Sequence, residues 1–126
     1  MSRVFISGSS DGLGLMAARL LVDGGHEVTL HARNTARAED TRRSVPQAKA
    51  VAVGDLSSIE ETRRVAEQVN ALGRHDAVIH NAGVGYREAR RVETVSCWQR
   101  RPQITFAVCW SDAAWSSSRC DIARFL

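Results

Sequence analysis

Short apolar runs and longer runs of helical period alternate along the first eighty residues. Arg3-Val4-Phe5-Ile6-Ser7 reads as a buried strand cut off by Gly8. From Leu13 the period changes, and Leu13, Met16, Ala17, Leu20 and Leu21 recur at helical spacing until Gly24-Gly25. A glycine pair there is a helix stop. His26 to Ala32, with Val28 and Leu30, predicts a second strand, and the polar stretch from Arg33 to Pro46 predicts a helix or loop crossover. Ala48 to Val53 is a third apolar run, ended by Gly54-Asp55. Behind it, Ser57 with Glu60 or Ser58 with Glu61 has the spacing of a capping box. Ile59, Val65, Ala66, Val69 and Leu72 then form an apolar stripe that Gly73 closes. Ala77-Val78-Ile79-His80 is a fourth short strand, followed by Asn81-Ala82-Gly83.

The order strand, helix, strand, crossover, strand, helix, strand predicts right-handed βαβ units and a doubly wound parallel sheet of the α/β class. Ligands of such sheets bind beyond the C-terminal strand ends. Those ends are Ser7–Gly14, Ala32–Asn34, Gly54-Asp55 and Asn81–Gly83.

Beyond Gly85 the character of the chain shifts. No glycine follows it, and all three tryptophans (Trp98, Trp110, Trp115) and all three cysteines (Cys97, Cys109, Cys120) fall between positions 97 and 120. Ile104 to Trp110 fits a strand or a buried helical segment. The division expected is therefore 1–95 as a partial domain and 96–126 as an atypical tail.

Composition narrows the function classes. The 126 residues suffice for one modest core, and 44% apolar with 25% charged is ordinary for a globular chain. No apolar run approaches the roughly 20 residues of a membrane span. The apolar N-terminus is too short for a signal peptide, so a cytoplasmic location is expected. The net charge is +3, and the arginines occur as separated pairs such as Arg42-Arg43 and Arg63-Arg64. Solvated faces explain them better than a nucleic-acid surface. Arginine outnumbers lysine sixteen to one, which fits a GC-rich gene. The cysteine spacing matches no zinc pattern, and free thiols are expected. His26, His31, His75 and His80 show no mutual metal spacing, and the reading is of strand-end or surface histidines.

The stretch Ser7-Gly8-Ser9-Ser10-Asp11-Gly12-Leu13-Gly14 lies between a strand and a helix. That context puts free backbone N–H groups and the positive end of a helix dipole at one point, which suits a phosphate. Glycines let the backbone come close to a diphosphate, and Ser9 and Ser10 can add hydroxyl donors. The spacing Gly8-x-x-x-Gly12-x-Gly14 resembles the cofactor loop of the short-chain dehydrogenase/reductase family, with Ser7 where threonine is usual. Asn81-Ala82-Gly83 resembles that family's second signature, and Asp55-Leu56 its adenine-contacting pair.

The resemblance implies a Rossmann-type fold, incomplete here, with about four strands plus the atypical tail. It implies hydride transfer between a nicotinamide dinucleotide and a carbonyl or alcohol substrate. At the end of the second strand Arg33 and Asn34 stand where NAD-preferring members place an acid. A guanidinium there attracts a 2′-phosphate, so NADP is expected over NAD. Asp11 argues mildly the other way, because NADP-preferring members often carry a base in this loop. The implied cofactor contacts are Gly8, Ser9, Ser10, Asp11, Gly12, Leu13, Gly14, Arg33, Asn34, Asp55, Leu56, Asn81, Ala82 and Gly83.

The family's acid–base tyrosine works with a lysine four positions later, since a phenol near pKa 10 is a poor base at neutral pH. Here the single tyrosine, Tyr86, and the single lysine, Lys49, are far apart and in the wrong order. Phe106-Ala107-Val108 resembles the family's Phe-Ala-Val-Asn, with Cys109 at the asparagine position. Cys109-Trp110 reads as Val-Leu one base out of phase, so an out-of-frame tail is one expectation. The chain is expected to bind nucleotide without turnover, as the N-terminal part of an oxidoreductase. The alternatives are a non-catalytic nucleotide-binding or regulatory module and, less favoured, an arginine-rich nucleic-acid partner. Substrate stays undetermined, and a homo-oligomer stays open. Half of such a sheet leaves a bare edge and an uncovered face, which predicts weak stability.

Overall fold

The computed structural model describes residues 1–83 and the backbone of 107–110. Its elements are β1 (Arg3–Ser7), α1 (Gly12–Asp23), β2 (Glu27–Ala32), α2 (Thr35–Ser44), β3 (Ala50–Val53), α3 (Ile59–Ala71), β4 (Ala77–His80) and β5 (Ala107–Trp110). The strands form one sheet in the order β3-β2-β1-β4-β5. The first four are parallel, with Val4 level with Val28 and Ala77, and Thr29 level with Ala50. The expected doubly wound parallel arrangement is present. The sheet is extended by β5, which runs antiparallel to β4 with Val78 opposite Cys109. It occupies the edge of β4 that a four-strand reading leaves bare.

Two apolar clusters sandwich the sheet. Val4, Ile6, Val28, Leu30 and Ala32 pack with Ala18 and Ala38 on one face. Phe5, Ala52 and Val78 pack with Val65, Ala66 and Val69 of α3 on the other. Strands buried on both faces read as continuous apolar runs, which is why β1 and β4 were legible to the residue.

The polar segment 35–44 is helical. Asn34 caps it, its Oδ1 accepting from the Arg37 N–H at 2.9 Å. At the start of α3, Ser58 Oγ accepts from the Glu61 N–H at 3.5 Å. The Glu61 carboxylate turns instead to the Asp55 N–H at 3.2 Å, so the capping box is only half made. α1 ends in a Schellman arrangement at the predicted glycines, with Gly25 N–H to Val22 O and His26 N–H to Leu21 O.

The buried side of α1 differs from the one its large side chains suggest. Gly14 and Ala18 are its buried residues, while Leu13, Met16 and Leu20 are 54%, 59% and 72% exposed. A Cβ on Gly14 would collide with the Asn81 side-chain amide, the Gly8 carbonyl and Ser9 Cα. Only the smallest side chains fit where this helix meets the loop and the β4 terminus.

Candidate functional site

The four strand ends singled out in the sequence meet in one rim, because β1 to β4 are parallel and adjacent. Hydrogen bonds join them laterally. Ser7 is fully buried at the end of β1, and its Oγ accepts from the N–H groups of Asn81 (3.1 Å) and Ala82 (3.2 Å) after β4. The Asn81 amide donates to the Gly8 carbonyl at 2.9 Å. On the other side, the Gly54 N–H donates to Ala32 O at 3.0 Å, tying β3 to the end of β2.

The glycine loop needs its glycines for different reasons. Gly8 has φ +63° and sits on Ala82, whose Cα would be 2.7 Å from an added Cβ. Gly12 has φ +56° and no atom within 4 Å of that position. Its backbone therefore faces open space at the mouth of α1. Gly14 is closed in by Asn81 and Gly8, as described above.

Asp11 occupies the N-cap position of α1 with no side-chain cap bond, unlike Asn34 before α2 and Ser58 before α3. Its carboxylate reaches Arg37 Nη1 of α2 at 2.7 Å. The leading amides of α1 are thus left without the side-chain acceptor that the other two helices have, and the dipole end is positive. The ion pair balances the charge of Asp11, and Arg33, the residue after β2, is exposed.

Several predicted contacts play internal roles. Ser9 is fully buried, its hydroxyl donating to Ile6 O at 2.9 Å and accepting from the His31 N–H at 2.8 Å. In this structure the Ser9 hydroxyl proton is directed to the Ile6 carbonyl. Ser10 is half-buried, and Leu13 is exposed on α1. The Asn34 side chain is the α2 cap. Asp55 accepts from the N–H (3.0 Å) and Oγ (2.7 Å) of Ser57, the turn role that competes with an adenine contact. Leu56 packs with Val65 and Val69 in the second cluster. Gly83 is exposed with open space about it.

The sequence reading missed His31. The ring is 4% exposed, lies directly beneath the loop, and joins Gly8 to Gly54. Burial pushes its pKa below the ordinary 6.5, against smaller upward pulls from the Gly54 carbonyl and Asp55. His80 ends β4, as a strand-end histidine, and both it and His75 are buried, with pKa values lowered chiefly by desolvation. No group of three or more metal-ligating side chains occurs among the described residues, and none of the described helices is long and apolar enough to cross a membrane. Tyr86, Cys97 and Cys120 lie outside the described residues.

Comparison with known proteins agrees with this geometry. The short chain dehydrogenase family profile matches residues 2–108. An uncharacterised oxidoreductase of Emericella nidulans is 58% identical over 86 residues, covering 68% of this chain and 34% of the relative. The chain therefore spans about a third of the length of that relative. Among solved structures, a Pseudomonas aeruginosa RhlG/NADP complex superposes with TM-score 0.60 at 31% identity, covering 67% of this chain and 35% of the other. L-Sorbose reductase from Gluconobacter frateurii, complexed with NADPH and L-sorbose, gives TM-score 0.61 at 28% identity, covering 78% and 39%. The profile match takes in most of the sequence, together with the glycine loop and the Asn-Ala-Gly turn that the structure packs against it. The chain belongs to the short-chain dehydrogenase/reductase family.

Proposed function

We propose that this chain is the dinucleotide-binding part of an oxidoreductase and that it takes NADP(H). The observation that carries the reading is the mouth of α1. Gly12 opens onto free space, Asp11 leaves the first amides uncapped, and Gly8 and Gly14 are packed tightly enough to hold them in place. A Cβ at Gly12 would fill the space a pyrophosphate needs. The cradle fits the group.

The N–H groups of Gly12, Leu13 and Gly14 would take the pyrophosphate. Arg33 would take the 2′-phosphate with its forked donors. Asp55 and Leu56 would border the adenine, and the backbone of Asn81, Ala82 and Gly83 would run along the rest of the cofactor. When bound, the nicotinamide supplies or accepts hydride. Two of the solved relatives hold NADP or NADPH, which supports the choice of phosphorylated cofactor.

Titration of the full chain with NADPH and NADH, for wild type and Arg33→Ala, tests the assignment. The wild type is expected to prefer NADPH, and Arg33→Ala to lose about tenfold or more of NADPH affinity with little change for NADH. Equal affinity for both cofactors in the wild type would remove the NADP assignment.

A further inference from the structure

We propose that His31 is the positioning residue that holds the glycine loop in its nucleotide-binding shape, acting as a neutral imidazole with its proton on Nε2. The inference rests on the loop being the dinucleotide site, and it adds a residue outside the loop.

The Gly8 N–H lies 3.0 Å from His31 Nδ1, and the Gly54 carbonyl lies 2.8 Å from Nε2. A backbone N–H can only donate, so Nδ1 carries a lone pair. A carbonyl can only accept, so Nε2 carries the hydrogen. One tautomer satisfies both bonds. The imidazole then spans three strand ends: the turn after β1, β2 itself, and Gly54 after β3. Its own backbone N–H donates to Ser9 Oγ, whose hydroxyl returns to Ile6 O. The loop is fastened at two successive residues to one residue of the neighbouring strand.

Protonation would break this arrangement. A hydrogen on Nδ1 would point at the Gly8 N–H, placing two donors face to face in a buried site. Gly8 is the residue whose φ of +63° turns the chain toward Gly12 and the mouth of α1. The same residue receives the Asn81 amide on its carbonyl and rests against Ala82. A shift there moves the whole rim. The groups facing the ring are few. From β3, Asp55 favours the proton; from the loop, Gly8 and Ser9 are uncharged; Asp11 further on is paired with Arg37. Burial opposes the proton and outweighs Asp55.

The test uses the full chain and three forms: wild type, His31→Asn and His31→Leu. Asparagine puts Oδ1 where the imidazole carries Nδ1, and it does not titrate. Leucine leaves Gly8 without an acceptor. NADPH affinity is measured from about pH 8 to about pH 5, and imidazole ¹⁵N spectra are recorded without nucleotide. The ligand's own 2′-phosphate titrates near pH 6, and this contributes equally to all three forms. Over the pH range in which the imidazole spectra show His31 taking up a proton, wild-type affinity is expected to fall more steeply than that of His31→Asn. His31→Leu is expected to bind about tenfold or more weakly at every pH, with His31→Asn restoring most of the loss at pH 8. Full affinity in His31→Leu, no recovery in His31→Asn at pH 8, or undiminished binding by a chain whose His31 is protonated would overturn the role. So would a spectrum with the proton on Nδ1 in a chain that binds. A chain with the Nε2–H tautomer that binds no dinucleotide would overturn the proposed site instead, and with it the role of His31 in binding.

Discussion

Replacing Gly12 by alanine separates the loop's part in folding from its part in binding. At φ +56° an L-residue is strained by about 1–2 kcal/mol, and the stiffer unfolded chain returns roughly 0.4–1 kcal/mol. No atom lies within 4 Å of the new methyl, so no packing clash is added. The net destabilisation is about 1 kcal/mol. Gly25 is a matched control: its φ is +82°, it too has open space around a Cβ, and it sits at the far end of α1. Gly25→Ala should therefore destabilise by a similar amount. The two should part company in binding. The methyl at position 12 intrudes where a pyrophosphate meets the α1 amides, and losing one charge-assisted hydrogen bond costs about 1.5–3 kcal/mol. That is roughly a ten- to hundredfold loss of NADPH affinity for Gly12→Ala and none for Gly25→Ala. Urea unfolding and NADPH titration on both variants give the two numbers. If Gly12→Ala weakens binding no more than Gly25→Ala does, the pyrophosphate is not at the mouth of α1.

Two further outcomes follow from buried polar groups. Ser7→Ala strips two N–H groups, on Asn81 and Ala82, of their acceptor, and should cost about 2–4 kcal/mol in urea unfolding, whereas Ser7→Thr should cost under about 1 kcal/mol. His31, His75 and His80 are all held below the ordinary 6.5, so the unfolded chain binds protons that the folded chain refuses. Stability should then fall as pH drops below about 6.5 and level off below the folded-state values, before carboxylates titrate near about pH 4. A melting temperature that stays level or rises between about pH 7 and pH 5 would contradict this.

The parts of the fold that were legible in the sequence are those in which local pattern and burial agree. β1 and β4 are short apolar runs buried on both faces, and the glycine loop announces itself by lying between strand and helix. α1 shows where pattern and burial part. Ala17 and Leu21 of the expected stripe do pack against the core, but Leu13, Met16 and Leu20 are exposed, and the helix start is seated on Gly14, where Asn81 and Gly8 leave no room for a side chain. Asn81, half of that constraint, is almost seventy positions away in the sequence. His31 and His80 stand at strand ends, as the sequence suggests, but their burial was not legible; for His31 the backbone groups that meet both ring nitrogens come from the residues just after β1 and β3. The direction of β5 was equally invisible, since an apolar run of four carries no sense of parallel or antiparallel. The internal bonds of the Ser9 hydroxyl and the Asn34 side chain, to the Ile6 carbonyl and the start of α2, are not legible in the motif.

The central claim is that the amides at the start of α1 close on the pyrophosphate of a nicotinamide dinucleotide. Backbone amide shifts of ¹⁵N-labelled full chain, followed during titration with NADPH, test it most directly. The account predicts that Gly12, Leu13 and Gly14 move most, together with Asn81 to Gly83, while Gly25 and Gly73 stay still. Saturable binding that leaves those three loop amides unmoved, or no binding at all, would contradict it.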